Sequence, residues 1–133
     1  MNRHICLIIL FIMVFEGLAV AGDINMARIV QLESSGNVFA QNGSHYGLCQ
    51  IGKAVLADYN RKHGTIWEPV DLFNGVINMR VASWYMNTEI PRLLRHYRLA
   101  DTDANRLTAW RFGVGAVING RVAAKYINAY HRL

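Results

Sequence analysis

Ile29 to Ile51 reads IVQLESSGNVFAQNGSHYGLCQI, and the rest of the chain is arranged around the acid within it. An apolar helical run (Met26, Ala27, Ile29, Val30, Leu32) leads directly into Glu33, followed by Ser34, Ser35 and Gly36. After a stretch of polar and small residues the chain returns with Tyr46, Gly47, Leu48, Cys49, Gln50 and Ile51. A glutamate that ends an apolar helix and faces a return loop bearing Gly and Gln is partly withdrawn from water. Its charged form is disfavoured, which predicts a raised pKa. A carboxyl of that kind can donate a proton near neutral pH, as a general acid must. The plain alternative is a helix-end Glu on a solvated face.

Outward from this stretch the pattern is helical. Asp23 is placed to cap a first helix running to about Glu33, and residues 34–46, rich in Ser, Gly, Asn and Gln, read as loop. A second helix is predicted over Lys53 to His63, with Val55, Leu56 and Tyr59 inward and Gly64 as its αL cap. The pattern resumes from Asn74 to Met86, with Val76, Ile77, Val81, Trp84 and Tyr85 as candidate core residues. Pro91 should kink or restart it before Leu93, Leu94 and Tyr97. Asp101, Thr102 and Asp103 form a capping cluster for a helix through Leu107, Trp110 and Phe112, broken by Gly113-Val114-Gly115. A last helix is expected from about Arg121 to His131, with Val122, Tyr126, Ile127 and Tyr130 on its apolar side. No run of alternating strands is apparent. The expected fold is all-α, one compact domain of about five helices around a groove with Glu33 at its floor.

A chain of 133 residues with 53% apolar content is long enough to bury a core. The net charge of +5, from 14 Lys+Arg against 9 Asp+Glu, favours an anionic partner: nucleic acid, acidic membrane or bacterial wall polymer. The N-terminus narrows that choice. Met1 to His4 is a short basic head, Ile5 to Phe15 an unbroken apolar run, and Leu18 to Gly22 offers an Ala-x-Ala site. This is the layout of a secretory signal peptide at residues 1–21, cleaved after Ala21, with an uncleaved signal-anchor as the alternative. Cleavage predicts an exported, periplasmic protein with no stable membrane span. It would also remove Cys6 and leave Cys49 alone, without a disulfide, so Cys49 reads as a small buried hydrophobe. A nucleic-acid partner is disfavoured by the export signal and by the lack of a Lys/Arg-dense recognition helix. The mature histidines (His45, His63, His96, His131) are scattered and no phosphate-binding Gly loop is present, so neither metal nor nucleotide cofactor is expected.

Glu33-Ser34-Ser35 followed by Tyr46-Gly47-Leu48-Cys49-Gln50-Ile51 resembles the two-part signature of the lysozyme-like lytic transglycosylases, a Glu-Ser pair followed by a Gly-Leu-x-Gln-Ile loop. Asp71-Leu72-Phe73 with Asn78, Ala82 and Tyr85 resembles that family's third block; Asn78 and Ala82 there read as structural, the first as a buried amide bonded to backbone. Thr108 to Val117 resembles the block the family writes as Ala-Tyr-Asn-Ala-Gly-x-Gly-x-Val, with Trp110 in place of the usual Tyr and Arg111 in place of the usual Asn. Tyr126-Ile127-Asn128 resembles the terminal Tyr-Val block, although a core aromatic is an equal reading of Tyr126.

The resemblance implies a lysozyme-like domain over residues 22–133 that cleaves the MurNAc-GlcNAc β-1,4 bond of peptidoglycan. The product would be a 1,6-anhydro-MurNAc end, made with Glu33 as the one catalytic acid. It implies substrate-binding roles for Ser34, Tyr46, Gly47, Gln50, Trp110, Arg111 and Tyr126, with glycan strands as partner. By analogy, a secretion, conjugation, pilus or phage machine would be the process served. A lysozyme-type hydrolase on the same fold, similar to the goose-type enzymes, and a wall-binding assembly subunit with weakened catalysis are the alternatives. Arg111 in place of Asn keeps the last of these open.

Overall fold

A computed structural model describes residues 21–133, of which 62% are helical and 5% lie in strands. The predicted signal peptide therefore lies outside the described residues except for Ala21. No helix among the described residues is long and apolar enough to cross a membrane.

Helix α1 (Met26–Ser34) is capped by Asn25, whose side chain accepts from the Ala27 N–H. Asp23, the expected cap, lies too far back; Asn25 is the residue that stays extended with its oxygen over the first turn. Ser35 and Gly36 adopt positive φ (53° and 83°) and stop the helix directly after Glu33.

The expected loop contains two strands, β1 (Gln41–Asn42) and β2 (His45–Tyr46), of a small antiparallel sheet that β3 (Ile51–Gly52) completes in the order β1-β2-β3. Strands of two residues are too short to show alternation, so composition alone read this segment as irregular. The Gly43-Ser44 turn joins β1 to β2, with Gly43 at φ 57° as such a tight hairpin requires.

Helix α2 (Lys53–His63) closes on Gly64 at φ 67°, as the sequence predicts. A 3-10 turn, Pro69–Phe73, is held by reciprocal bonds between Glu68 and Asp71. Asn74 then caps α3 (Gly75–Trp84) by accepting from Val76 and Ile77. Pro91 neither breaks the helical run beyond α3 nor sharply restarts it. A π turn at Tyr85–Glu89 leads without interruption into α4 (Ile90–His96), with Pro91 in its first turn. The wider π spacing gives the proline ring room against the preceding carbonyls.

Helix α5 (Asp103–Phe112) is capped by Thr102, and Gly113 at φ 84° separates it from a short α6 (Val114–Ile118). The last helix, α7 (Ala124–His131), starts three residues later than expected. Val76 and Val122, expected inside, are exposed, because they stand respectively in the first turn of α3 and before the start of α7.

The core runs along α3, the π turn and α4: Val81, Ala82, Met86, Ile90 and Leu94 are fully buried and meet Ile29, Ile51, Leu72 and Leu107. Burying each large aliphatic side chain contributes roughly 1.5–3 kcal/mol. Two buried ions are each matched. Arg106 forms a two-point pair with Asp101 (2.6 and 3.0 Å) and donates to the carbonyls of Ala21 and Gly22 (3.3 and 3.0 Å). Glu89 receives Arg92 at 2.9 and 2.6 Å with Lys62 3.5 Å away, and the Arg92 hydrogen bonds hold its carboxyl below the usual carboxylate range. Asn87 and Tyr130 bind the backbone of Ile24 and Asn25, which fixes the entry into α1.

Candidate active site

The return loop is locked by two amides. Gly47, at φ 74°, donates its N–H to the Ala40 carbonyl at 2.8 Å. A Cβ at Gly47 would collide with the Leu72 carbonyl oxygen and the Asn78 amide, so the close approach itself requires glycine. Asn78 is fully buried: its Oδ1 accepts from the Cys49 N–H (2.9 Å), and its Nδ2 donates to the carbonyls of Tyr46 (2.8 Å) and Leu72 (2.9 Å). The buried structural amide read from the sequence is in place. Gln50, at φ 53°, turns its Nε2 back onto the carbonyls of Ala40 (3.1 Å) and Gly47 (3.0 Å).

Cys49 lies beneath this loop, fully buried, with its thiol 3.7 Å from the Met79 sulfur. Burial first, and the nearby Glu33 charge second, push the thiol up to about 12. It stays protonated and is no nucleophile at ordinary pH.

Glu33 is half-buried at the end of α1. Its Oε1 accepts two hydrogen bonds, from the Trp110 Nε1–H of α5 at 3.1 Å and from the Tyr126 hydroxyl of α7 at 2.7 Å. No hydrogen bond falls on Oε2, and no buried side-chain polar atom lacks a partner among the described residues, so Oε2 is open to solvent. The carboxyl thus has one oxygen fixed by two donors and one without a hydrogen bond. Burial, then the Glu33 charge and the hydrogen bond to it, raise the Tyr126 pKa, so this phenol remains a neutral donor.

Glu33 sits between two hollows. One, of about 330 Å³, is lined by Glu33, Gln50, Tyr85, Trp110 and Arg111, together with Asn42, His45, Val55 and neighbouring backbone. The other, of about 540 Å³ and more open, is lined by Glu33, Ser34, Gln41, Asn42, Gln50, Arg111 and Tyr126, with Leu32 and Ala40. The two hollows share Glu33, Asn42, Gln50 and Arg111, and Glu33 is the sole carboxylate lining either among the described residues. No group of three or more His, Cys, Asp or Glu stands together as a metal site there or elsewhere among those residues.

Of the residues singled out from sequence, Glu33, Ser34, Gln50, Trp110, Arg111 and Tyr126 therefore line one or both of these hollows. The Ser34 hydroxyl, however, donates back to the Val30 carbonyl of its own helix at 3.3 Å rather than to Glu33. Tyr46 and Gly47 line neither hollow. Tyr46 packs edge-on to Phe73 with ring centroids 5.9 Å apart, and Gly47 is buried against the Leu72 carbonyl. Their place is in shaping the loop from behind.

Trp110, read as substrate-binding, directs its indole N–H at the acid. Arg111 is exposed at the rim, and no ion pair joins it to Glu33 among the described residues. Tyr85, His45 and Asn42 line these hollows without having been singled out for it. Tyr85 carries a signal, as an aromatic of the candidate core and of the third block, whereas His45 and Asn42 lie on strands too short to be read. Comparison of the chain with protein-family models, with curated proteins and with solved structures found no match.

Proposed function

We propose that the chain is a peptidoglycan lytic transglycosylase in which Glu33 serves as acid and then as base. The observation that carries this reading is a single groove carboxyl with Oε1 tied to Trp110 and Tyr126 and Oε2 left free. Glycosidases with two carboxylates need a second acid within several ångströms, on the opposite side of the scissile bond. Here no second acid lines the groove among the described residues, which favours substrate-assisted chemistry.

Glu33 Oε2 would give its proton to the oxygen between N-acetylmuramic acid and N-acetylglucosamine as the C1–O bond breaks. The substrate's own acetamido group would support the positive charge developing at C1. The muramyl C6 hydroxyl would then add to C1 and return its proton to Glu33, closing the 1,6-anhydro ring without consuming water. The leader predicted at residues 1–21 would place this chemistry in the periplasm, beside the wall, in the service of a secretion, conjugation, pilus or phage machine.

Mass spectrometry of muropeptides released from purified sacculi tests the reaction. Anhydro ends are expected. Reducing ends would mean hydrolysis by a lysozyme-type enzyme, and a purified, folded protein that releases nothing would leave only the wall-binding reading.

Tyr126→Phe deletes one of the two bonds that orient the carboxyl while leaving the ring in place. Turnover is expected to fall about 10- to 100-fold with KM little changed, since positioning rather than binding is lost. Unaltered turnover would show that Trp110 alone holds the acid.

A further inference from the structure

A third hollow, of about 540 Å³, opens on the far side of Arg111 between α5 and α7. Three cations line it: Arg111, Arg121 and Lys125. Among the described residues, no carboxylate stands within ion-pairing distance of any of the three. Every other lining side chain is uncharged, with Phe112, Val122 and Tyr126 giving it an apolar wall. The Arg121 guanidinium is stacked over Phe112, 3.6 Å from the ring centroid. Arg111 and Tyr126 belong both to this hollow and to the groove that holds Glu33. A molecule reaching from the acid into this hollow meets positive charge and no negative charge.

We propose that this hollow is a carboxylate-binding subsite that takes the peptide branch of a glycan strand while the sugars lie along Glu33. The inference rests on the peptidoglycan-cleaving reading, and it specifies the substrate as the peptide-bearing strand rather than the bare one. A muramyl residue carries its peptide through the lactyl group, so the branch leaves the sugar backbone sideways. Its carboxylates match two forked guanidiniums and an ammonium, and its aliphatic side chains match the apolar wall.

The test uses Glu33→Gln protein, which keeps the groove without turnover, titrated in a calorimeter. The ligands are a disaccharide-peptide fragment of peptidoglycan, the same disaccharide after enzymatic removal of its peptide, and inorganic phosphate. The branched fragment is expected to bind roughly tenfold more tightly than the bare disaccharide. Adding Arg121→Gln and Lys125→Gln should erase that margin and leave the bare disaccharide's affinity unchanged. Equal affinities, no binding of the branched fragment, a margin that survives the double substitution, or phosphate bound as tightly as the fragment would each overturn the subsite. Release of muropeptides from sacculi by the wild-type protein is scored separately. Binding through Arg121 and Lys125 without any cleavage sinks the reaction and keeps the subsite, whereas cleavage with no affinity margin does the reverse.

Discussion

Glu33→Gln is expected to lower muropeptide release by a factor of about 100 to 10,000 while the protein still folds. The amide oxygen has the shape of Oε1 and can accept from both Trp110 and Tyr126, so the joint between α1, α5 and α7 survives. What is lost is a group that can give a proton and take it back. The Tyr126 phenol cannot replace it: it is held well above its ordinary pKa, and its one proton is committed to Glu33. Folding is checked by a melting temperature within a few degrees of wild type. Retention of more than about a tenth of wild-type activity would falsify the assignment, since general acid-base catalysis contributes far more than that.

The second large effect falls on stability. Asn78→Leu keeps the branched outline of the side chain but strands the Cys49 N–H and the Tyr46 and Leu72 carbonyls, all bonded to Asn78 now. Each buried backbone group left without a partner costs about 1–3 kcal/mol, so a loss of roughly 3–9 kcal/mol is expected for the three. That is comparable to the whole stability of a small domain. Gly47→Ala should act on the same contact from the other side, since its Cβ would meet the Leu72 carbonyl and the Asn78 amide.

Gly36→Ala is the control. Gly36 also has positive φ, 83°, but open space where a Cβ would stand, so it suffers only the left-handed penalty of about 1–2 kcal/mol. Urea denaturation of the three variants separates these effects. If Gly47→Ala proved no more destabilising than Gly36→Ala, Asn78 and the Leu72 carbonyl would not be clamping the loop.

Much of this site was legible because local chemistry and tertiary role coincide. Gly64 ends α2 as a glycine at that spacing predicts, and Glu33 sits where an apolar helix meets a Ser-Ser-Gly stop. Asn78 was legible too, because an amide inside an apolar helical stripe needs buried partners, and backbone supplies them. Other features were hidden for physical reasons. The strands are two residues long, below the length at which alternation exists. The π turn depends on how Pro91 is accommodated, and backbone width leaves no mark in side-chain periodicity. The Trp110 hydrogen bond depends on the rotation of α5 relative to α1, which only packing determines. Tyr126 admitted two equal readings; it is half-buried, and its hydroxyl reaches Glu33.

The Glu33–Tyr126 bond spans 93 residues of chain. A polypeptide emerging from the ribosome with its N-terminus first exposes α1 long before α7 exists, and until α7 docks the carboxyl has no phenol to hold it. The arrangement around Glu33 is therefore completed only when the final described helix packs against the first.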